Sequence, residues 1–253
     1  MLGRILDVFF PPACVGCGRG AWPFCHACWG HIALLTPPGC GSCGRPLEQS
    51  VDRCADCPPA LVTWSRAAFL YEGPVRSALM RLKFAGLRAT AAAVAPWMVW
   101  ALARSPPAEV DPESPAITWV PLGTTRRRAR GYDQAEALAR AVASTMGGSA
   151  RRLLERVIET PAQARRSGPA RRRALRGAFT ATGPVPPRVL LVDDVLTSGA
   201  TVASCALALR RAGAREVGVL AAARSLGTAV PARCYNPPMS QPGSVVARER
   251  SSR

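Results

Sequence analysis

Residues 189–202 read VLLVDDVLTSGATV. Val189–Val192 is an unbroken apolar run, the pattern of a strand buried on both faces in a parallel sheet. The strand ends in two carboxylates, Asp193 and Asp194, and a short loop then opens a helix predicted over 200–212 and stopped by Gly213. In open α/β sheets ligands sit at the carboxyl ends of strands, and backbone N–H groups at a helix N-terminus attract anions. The segment Leu196, Thr197, Ser198, Gly199, Ala200, Thr201 offers such a cradle, with three hydroxyls and a glycine that lets a ligand approach the backbone. The missing lysine and the glycine spacing exclude a Walker P-loop. Two adjacent acids repel a phosphate, so they need another partner, such as sugar hydroxyls or a metal-bound diol. A diol binder beside a monophosphate cradle fits a ribose 5-phosphate.

Working outward, the chain alternates strands and helices. Val217–Ala222 reads as a second buried strand and Ile117–Val120 as a third. Asp133 is placed to cap a helix predicted through Met146 and ended by Gly147-Gly148. Pro74–Phe84 puts Val75, Leu79 and Leu82 at helical spacing, and a second apolar helix follows through Leu102, with Pro96 as a kink point. This alternation predicts a doubly wound parallel sheet. Residues 105–115 read as a Pro-rich acidic loop, and 225–253 as a loose tail without periodicity.

Eight of the ten cysteines fall in the first 57 residues, as four C-x-x-C pairs: Cys14/Cys17, Cys25/Cys28, Cys40/Cys43 and Cys54/Cys57. Each pair makes a tight knuckle that aims two thiolates at one ion, and two knuckles complete a tetrahedral site suited to zinc. Gly16, Gly18 and Gly44 supply permissive backbone. Four pairs imply two zinc ions. Spacing allows either sequential pairing (14, 17, 25, 28 and 40, 43, 54, 57) or a cross-braced pairing of first with third and second with fourth. Four cysteine ligands close the site, so the role is structural. His26 lies inside a knuckle as a bystander, and Cys205 and Cys234 read as inert thiols.

Of 253 residues 48% are hydrophobic and 19% charged, enough apolar surface for a real core and too much for a disordered chain. The 33 Lys+Arg exceed the 16 Asp+Glu by 17, and all but Lys83 of the basic residues are arginine. Lys83 itself reads as a solvated residue on its helix face. Met1–Pro12 carries Asp7 and no cleavage site, so it does not read as a signal peptide. The longest apolar stretch, 89–103, is too short to span a bilayer. A cytoplasmic protein without a membrane span is expected.

The 189–202 stretch resembles the phosphoribosyl-pyrophosphate (PRPP) motif of type I phosphoribosyltransferases: an apolar strand, two acids and a T-x-G-x-T loop. With the cysteine-rich start, the chain is identified as a member of the ComF family of competence-associated, amidophosphoribosyltransferase-like proteins. The resemblance covers roughly 2–224 and includes Tyr71-Glu72-Gly73-Pro74, Leu82-Lys83-Phe84, Val120-Pro121-Leu122 and Arg130-Gly131-Tyr132-Asp133-Gln134-Ala135. Thr160, Gln163, Arg173 and Gly177-Ala178-Phe179 fall where the family has a flexible, Arg-rich loop. Ser198 stands where Thr is common, Asp133 where Asn is usual, and Arg176 where Asn precedes the Gly-Ala-Phe element. Pro161 after Thr160 implies a stiffer loop.

The resemblance implies a type I phosphoribosyltransferase-like doubly wound parallel sheet with an N-terminal double zinc ribbon. The divisions would be 1–60 for the ribbon, 61–224 for the transferase-like domain and 225–253 for a disordered tail. Asp193 and Asp194 would be the catalytic pair, holding the ribose hydroxyls, and Leu196–Thr201 would bind the 5-phosphate. Pro121, Leu122 and Gly123 would present N–H groups to the pyrophosphate. Mg²⁺ would bridge pyrophosphate and ribose oxygens. Chemistry would be displacement at the anomeric carbon, a pentosyl transfer served by positioning and charge neutralisation. The fold also serves proteins that bind without catalysing, so a phosphosugar-sensing accessory factor for single-stranded DNA, working with DNA-uptake proteins, stands as the alternative. The intact acids and hydroxyls argue against a zinc-ribbon scaffold with a decayed site.

Residues 126–176 hold 14 Arg and 4 acids, an excess of 10 positive charges. Two runs, Arg126, Arg127, Arg128, Arg130 and Arg165–Arg176 with Arg171, Arg172, Arg173, lie in predicted loops beside the proposed site. One pyrophosphate needs fewer cations than this, so a track for single-stranded nucleic acid and a merely solvated basic surface both fit. Stacking aromatics near the runs are few: Trp119, Tyr132 and Phe179.

Overall fold

A computed structural model describes residues 13–58, 60–86, 89–106, 115–158, 175 and 177–226. The expectations for 1–12, most of the acidic loop, Thr160, Gln163, Arg171–Arg173, Arg176, Cys234 and the tail beyond Leu226 lie outside these residues.

Four parallel strands form the central sheet, in the order β1–β6–β5–β2: β1 (Trp64–Leu70), β2 (Ala116–Trp119), β5 (Arg188–Leu196) and β6 (Glu216–Arg224). A separate antiparallel pair joins β3 (Leu154–Arg156) to β4 (Phe179–Ala181). The helices are α1 (His26–Trp29), α2 (Gly73–Phe84), α3 (Ala89–Arg104), α4 (Thr124–Arg130), α5 (Gln134–Thr145) and α6 (Ala200–Arg211). This is the mixed α/β architecture with a parallel sheet that the alternating pattern implies, consistent with a phosphoribosyltransferase-like fold.

The period of two along β5 divides the core. Leu190 and Val192 join a cluster with α2, α3 and α5, whereas Val189 and Leu191 join one with α6 and the β3–β4 pair. Val75, Leu79 and Leu82 of α2 are buried as their spacing predicts. Gly218 in β6 is fixed by close approach: a Cβ there would stand 2.1 Å from the Trp64 ring. The cysteine-rich segment shares this core. Phe24 and Trp29 pack with Trp97 of α3 and Phe69 of β1, Trp29 and Trp97 having ring centroids 4.6 Å apart.

Two expectations are corrected by the backbone. The strand that begins at Val189 does not end at the acids; β5 carries on through Asp193 and Asp194 to Leu196, because β6 continues to pair with it. The first arginine run is helix α4, not a loop. Its end is marked by Gly131 at φ 72, a left-handed residue that closes helices readily. No helix among the described residues is long and apolar enough to cross a membrane.

Candidate functional site

The carboxyl ends of the parallel strands open on a cavity of about 450 Å³. Its walls are the β5 end and the following loop (Asp193, Asp194, Val195, Thr197, Thr201), the segment after β2 (Val120, Pro121, Leu122) and the end of α2 (Met80, Lys83, Phe84) with Tyr71. Arg126 and Arg130 of α4, Gln134 of α5, Arg156 of β3 and Leu175 complete it. Four cations therefore face two carboxylates, a lining suited to a polyanion that also carries hydroxyls.

Because neighbouring strand residues point to opposite faces, Asp194 turns to the α2 side. There its Oδ2 lies 2.7 Å from Lys83 Nζ. That oxygen makes no well-angled hydrogen bond, so the contact is an ion pair. Burial opposes the charge on Lys83, but the attraction of Asp194 outweighs it and pushes the ammonium pKa up. The solvated role expected for Lys83 is thus corrected: its side chain is 20% exposed and holds a carboxylate. Its standing as the single lysine among 33 basic residues was the available sequence signal.

Asp193 is 9% exposed and accepts a 2.8 Å bond on Oδ1 from the Asp194 amide. Burial, and next the charge of Asp194, push its carboxyl well above the usual range, against the pull of that amide and of Lys83. Of the loop residues, Thr197 and Thr201 line the cavity and Ser198 is exposed. Leu196 and Ala200 are buried, and Gly199 caps α6 at φ 73, where only glycine is unstrained.

The segment after β2 differs from expectation. Pro121 has no amide hydrogen, and the Leu122 amide donates a 2.7 Å bond to Asp133 Oδ2. Of the three residues expected to offer N–H groups, Gly123, the cap of α4, alone has an amide outside that bond. Asp133 does cap α5, as predicted, with Oδ1 accepting from Ala135 at 3.0 Å and Glu136 at 3.4 Å. Burial raises its carboxyl pKa against those three amides, with a smaller contribution from Glu136. One acid thus ties the segment after β2 to the start of α5.

The arginine run divides by helical geometry. Arg126 and Arg130, four apart, line the cavity; Arg130 donates to Gln134 Oε1 at 3.0 Å and lies 4.8 Å from the centre of the exposed Phe84 ring. Arg127 and Arg128 are exposed, Arg127 lying 3.7 Å from Glu136. Sequence reasoning missed Met80, Phe84 and Arg156 as lining residues, because no local pattern places α2 and β3 beside the β5 end.

The eight cysteines form two groups, Cys14, Cys17, Cys25, Cys28 and Cys40, Cys43, Cys54, Cys57, each with its sulfurs within 4.8 Å of one another. The pairing is sequential, which removes the cross-braced alternative. Zinc at about 2.3 Å from four sulfurs in a tetrahedron requires S···S separations of about 3.8 Å. The observed 3.8 Å for Cys17–Cys25, 3.6 Å for Cys43–Cys54 and 3.8 Å for Cys54–Cys57 fit it, and 3.4 Å for Cys40–Cys57 needs only slight opening. Burial raises the Cys40 thiol, but amides of Cys43 and Cys54 outweigh it and bring the pKa to about 7. Burial instead pushes the Cys43 thiol up to about 12 and the Cys57 thiol up, so zinc must displace protons from those two as it binds. His26 belongs to neither group.

A double zinc ribbon domain family matches residues 5–58. The chain is 30% identical over 209 residues to the DNA utilization protein YhgH of Salmonella typhi, covering 81% of this chain and 92% of that protein. It is 28% identical over 208 residues to competence protein F of Haemophilus influenzae, covering 79% and 90%. It is also 28% identical over 211 residues to YhgH of Escherichia coli K12, covering 82% and 92%.

Proposed function

The chain belongs to the ComF/YhgH family of competence and DNA utilization proteins, and on that premise we propose that it binds PRPP with Mg²⁺ in the cavity at the sheet's carboxyl edge, in the service of DNA uptake. The observation that carries this reading is the convergence of Asp193, Asp194, Thr197 and Thr201 with Lys83, Arg126, Arg130 and Arg156 around one cavity. Its volume of about 450 Å³ lies within the range of small-molecule sites, roughly 300–1,000 Å³.

In this reading Thr197, Ser198 and Thr201 hold the 5-phosphate with the amides of 196–201, and Asp193 and Asp194 hold the ribose hydroxyls. Lys83, released from Asp194 as the hydroxyls arrive, joins Arg126, Arg130 and Arg156 on the pyrophosphate. Gly123 contributes the free amide of its segment. The two carboxylates and the hydroxyls of the lining suit a hard cation that arrives with the ligand. Mg²⁺ would neutralise pyrophosphate charge, while the side chains orient the anomeric carbon for pentosyl transfer. The organisation that accompanies it is a ribbon over 1–60, a transferase-like domain over 61–224 and a tail from 225, in the reducing cytoplasm that keeps eight zinc-binding thiols available.

Titration calorimetry of PRPP with Mg²⁺ into the zinc-loaded protein tests the proposal. Saturable one-site binding is expected; a folded protein that gives no heat would remove it.

The exposure of Arg127 and Arg128 favours a second reading, a DNA-handling accessory surface beside the cavity. Replacing both with Gln is expected to lower the slope of log K against log salt for single-stranded DNA by about 1.4, at about 0.7 per phosphate contact. An unchanged slope takes α4 off the DNA surface.

A further inference from the structure

The second cysteine cluster is built into the edge of the sheet that carries the loop 197–201. Pro58, directly after Cys57, is buried, and its Cβ lies 3.1 Å from where a Cβ on Gly199 would stand. The Pro58 carbonyl accepts a 2.8 Å bond from Arg53 Nη2, and Arg53 Nη1 reaches Ser42 Oγ at 3.2 Å. One knuckle thus ends against the residue that caps α6.

The other knuckle is fastened to the strands. Arg224, the last residue of β6, donates to the Cys43 carbonyl at 2.6 Å. It stands in register with Leu196, and the next amide, Ser225, donates to the Leu196 carbonyl at 3.0 Å. Arg66 of β1 donates to the Gly41 carbonyl at 2.7 Å and the Ser42 carbonyl at 3.2 Å. Arg66 and Arg224 are 3% and 4% exposed. Zinc held by four thiolates carries a net charge of −2, and two buried guanidinium groups at its knuckle supply the opposite charge that burial demands. The first cluster packs along α2 instead: a Cβ on Gly16 would stand 3.0 Å from Pro74 Cβ, and one on Gly18 would stand 2.5 Å from Arg81 Nη1.

We propose that zinc at Cys40, Cys43, Cys54 and Cys57 sets the position of the loop 197–199, so that this ion and the loop's ligand stabilise each other, with Pro58 as the positioning residue between them. The inference rests on the phosphosugar reading. Because coupling between two binding sites is reciprocal, it can be read from the zinc side, without catalysis.

The test is zinc competition with a chelator indifferent to Mg²⁺, on the full chain, with and without saturating PRPP and Mg²⁺. One of the two zinc ions is expected to be held at least about fivefold more tightly with PRPP, the lower end of typical coupling. Cys17→Ser, which impairs the first cluster, should keep that protected ion. Pro58→Gly, with both ions still bound, should lose the protection, and Arg53→Ala should reduce it. Calorimetry in parallel separates the failures. No PRPP binding by the wild type overturns the phosphosugar reading and this inference with it. PRPP binding that leaves both zinc affinities unchanged, or protection that survives in Pro58→Gly, overturns the inference alone.

Discussion

Asp193→Asn is expected to make the protein more heat-resistant at neutral pH while abolishing the proposed binding of PRPP with Mg²⁺. The Asn carbonyl keeps the bond from the Asp194 amide but removes a carboxyl that burial and Asp194 disfavour as an anion. The sign of the pH dependence follows from the raised pKa. Such a group contributes stability that is fully present below its unfolded value, about 3.9, and is lost as pH rises through the folded value. The wild type therefore loses stability relative to the variant as pH rises. A gain of ~1 kcal/mol corresponds to about 2–4 °C in a chain of this size. Thermal melts of both proteins across pH 5–8, each zinc-loaded, measure the gap, which should narrow towards the acid end. A variant that melts lower than the wild type at pH 8 would mean that Asp193 is stabilising as an anion, and the electrostatic account of the site would fall. A variant that melts higher and still binds PRPP would take Asp193 out of the ligand site.

Lys83→Met is expected to act in the opposite direction on stability. It leaves Asp194 beside Asp193 with no ammonium at 2.7 Å. Removing one partner of a fully buried pair costs about 3–5 kcal/mol. Here the side chains remain 20% and 10% exposed, so water offsets part of the loss and about 2 kcal/mol is expected, or about 4–8 °C. PRPP affinity should fall at least about tenfold, as loss of a charge-assisted contact of ~1.5 kcal/mol implies. The informative comparison is Lys83→Met combined with Asp194→Asn. Removing both charges removes the repulsion as well as the attraction, so the double variant should melt above the single one. Equal melting temperatures for the wild type and Lys83→Met would show that the ion pair contributes nothing, and the place of Lys83 in the site would rest on the cavity alone.

These two variants bear on different kinds of information. Asp193 and Asp194 stand out in the sequence because an apolar run ends in two acids followed by small residues, a local pattern with a local meaning. Lys83 lies 111 positions earlier and meets Asp194 only because α2 packs on the face of the sheet to which even-numbered residues of β5 point. The same contrast separates Arg126 from Arg128. Charge composition identifies the run, but the helical turn of α4 decides that Arg126 and Arg130 line the cavity while Arg128 stays in solvent. The Asp133 cap was legible, whereas its second bond, to the Leu122 amide, was not. That bond depends on how the end of β2 approaches the start of α5.

The sequence by itself determined the two four-cysteine zinc sites, the parallel α/β sheet and the acid-acid-loop-helix segment at its carboxyl edge. Each is written in neighbouring residues, as knuckle spacing, unbroken apolar runs and small residues before a helix. Only the tertiary structure decided that the cysteine pairs combine sequentially, that Lys83 faces Asp194, and that Pro58 and Arg224 join the second zinc cluster to the loop 197–199. The cysteine pairing depends on how neighbouring knuckles fold together, while the other contacts depend on strand order and on which face each helix covers, and no local periodicity encodes the approach of segments more than 100 residues apart.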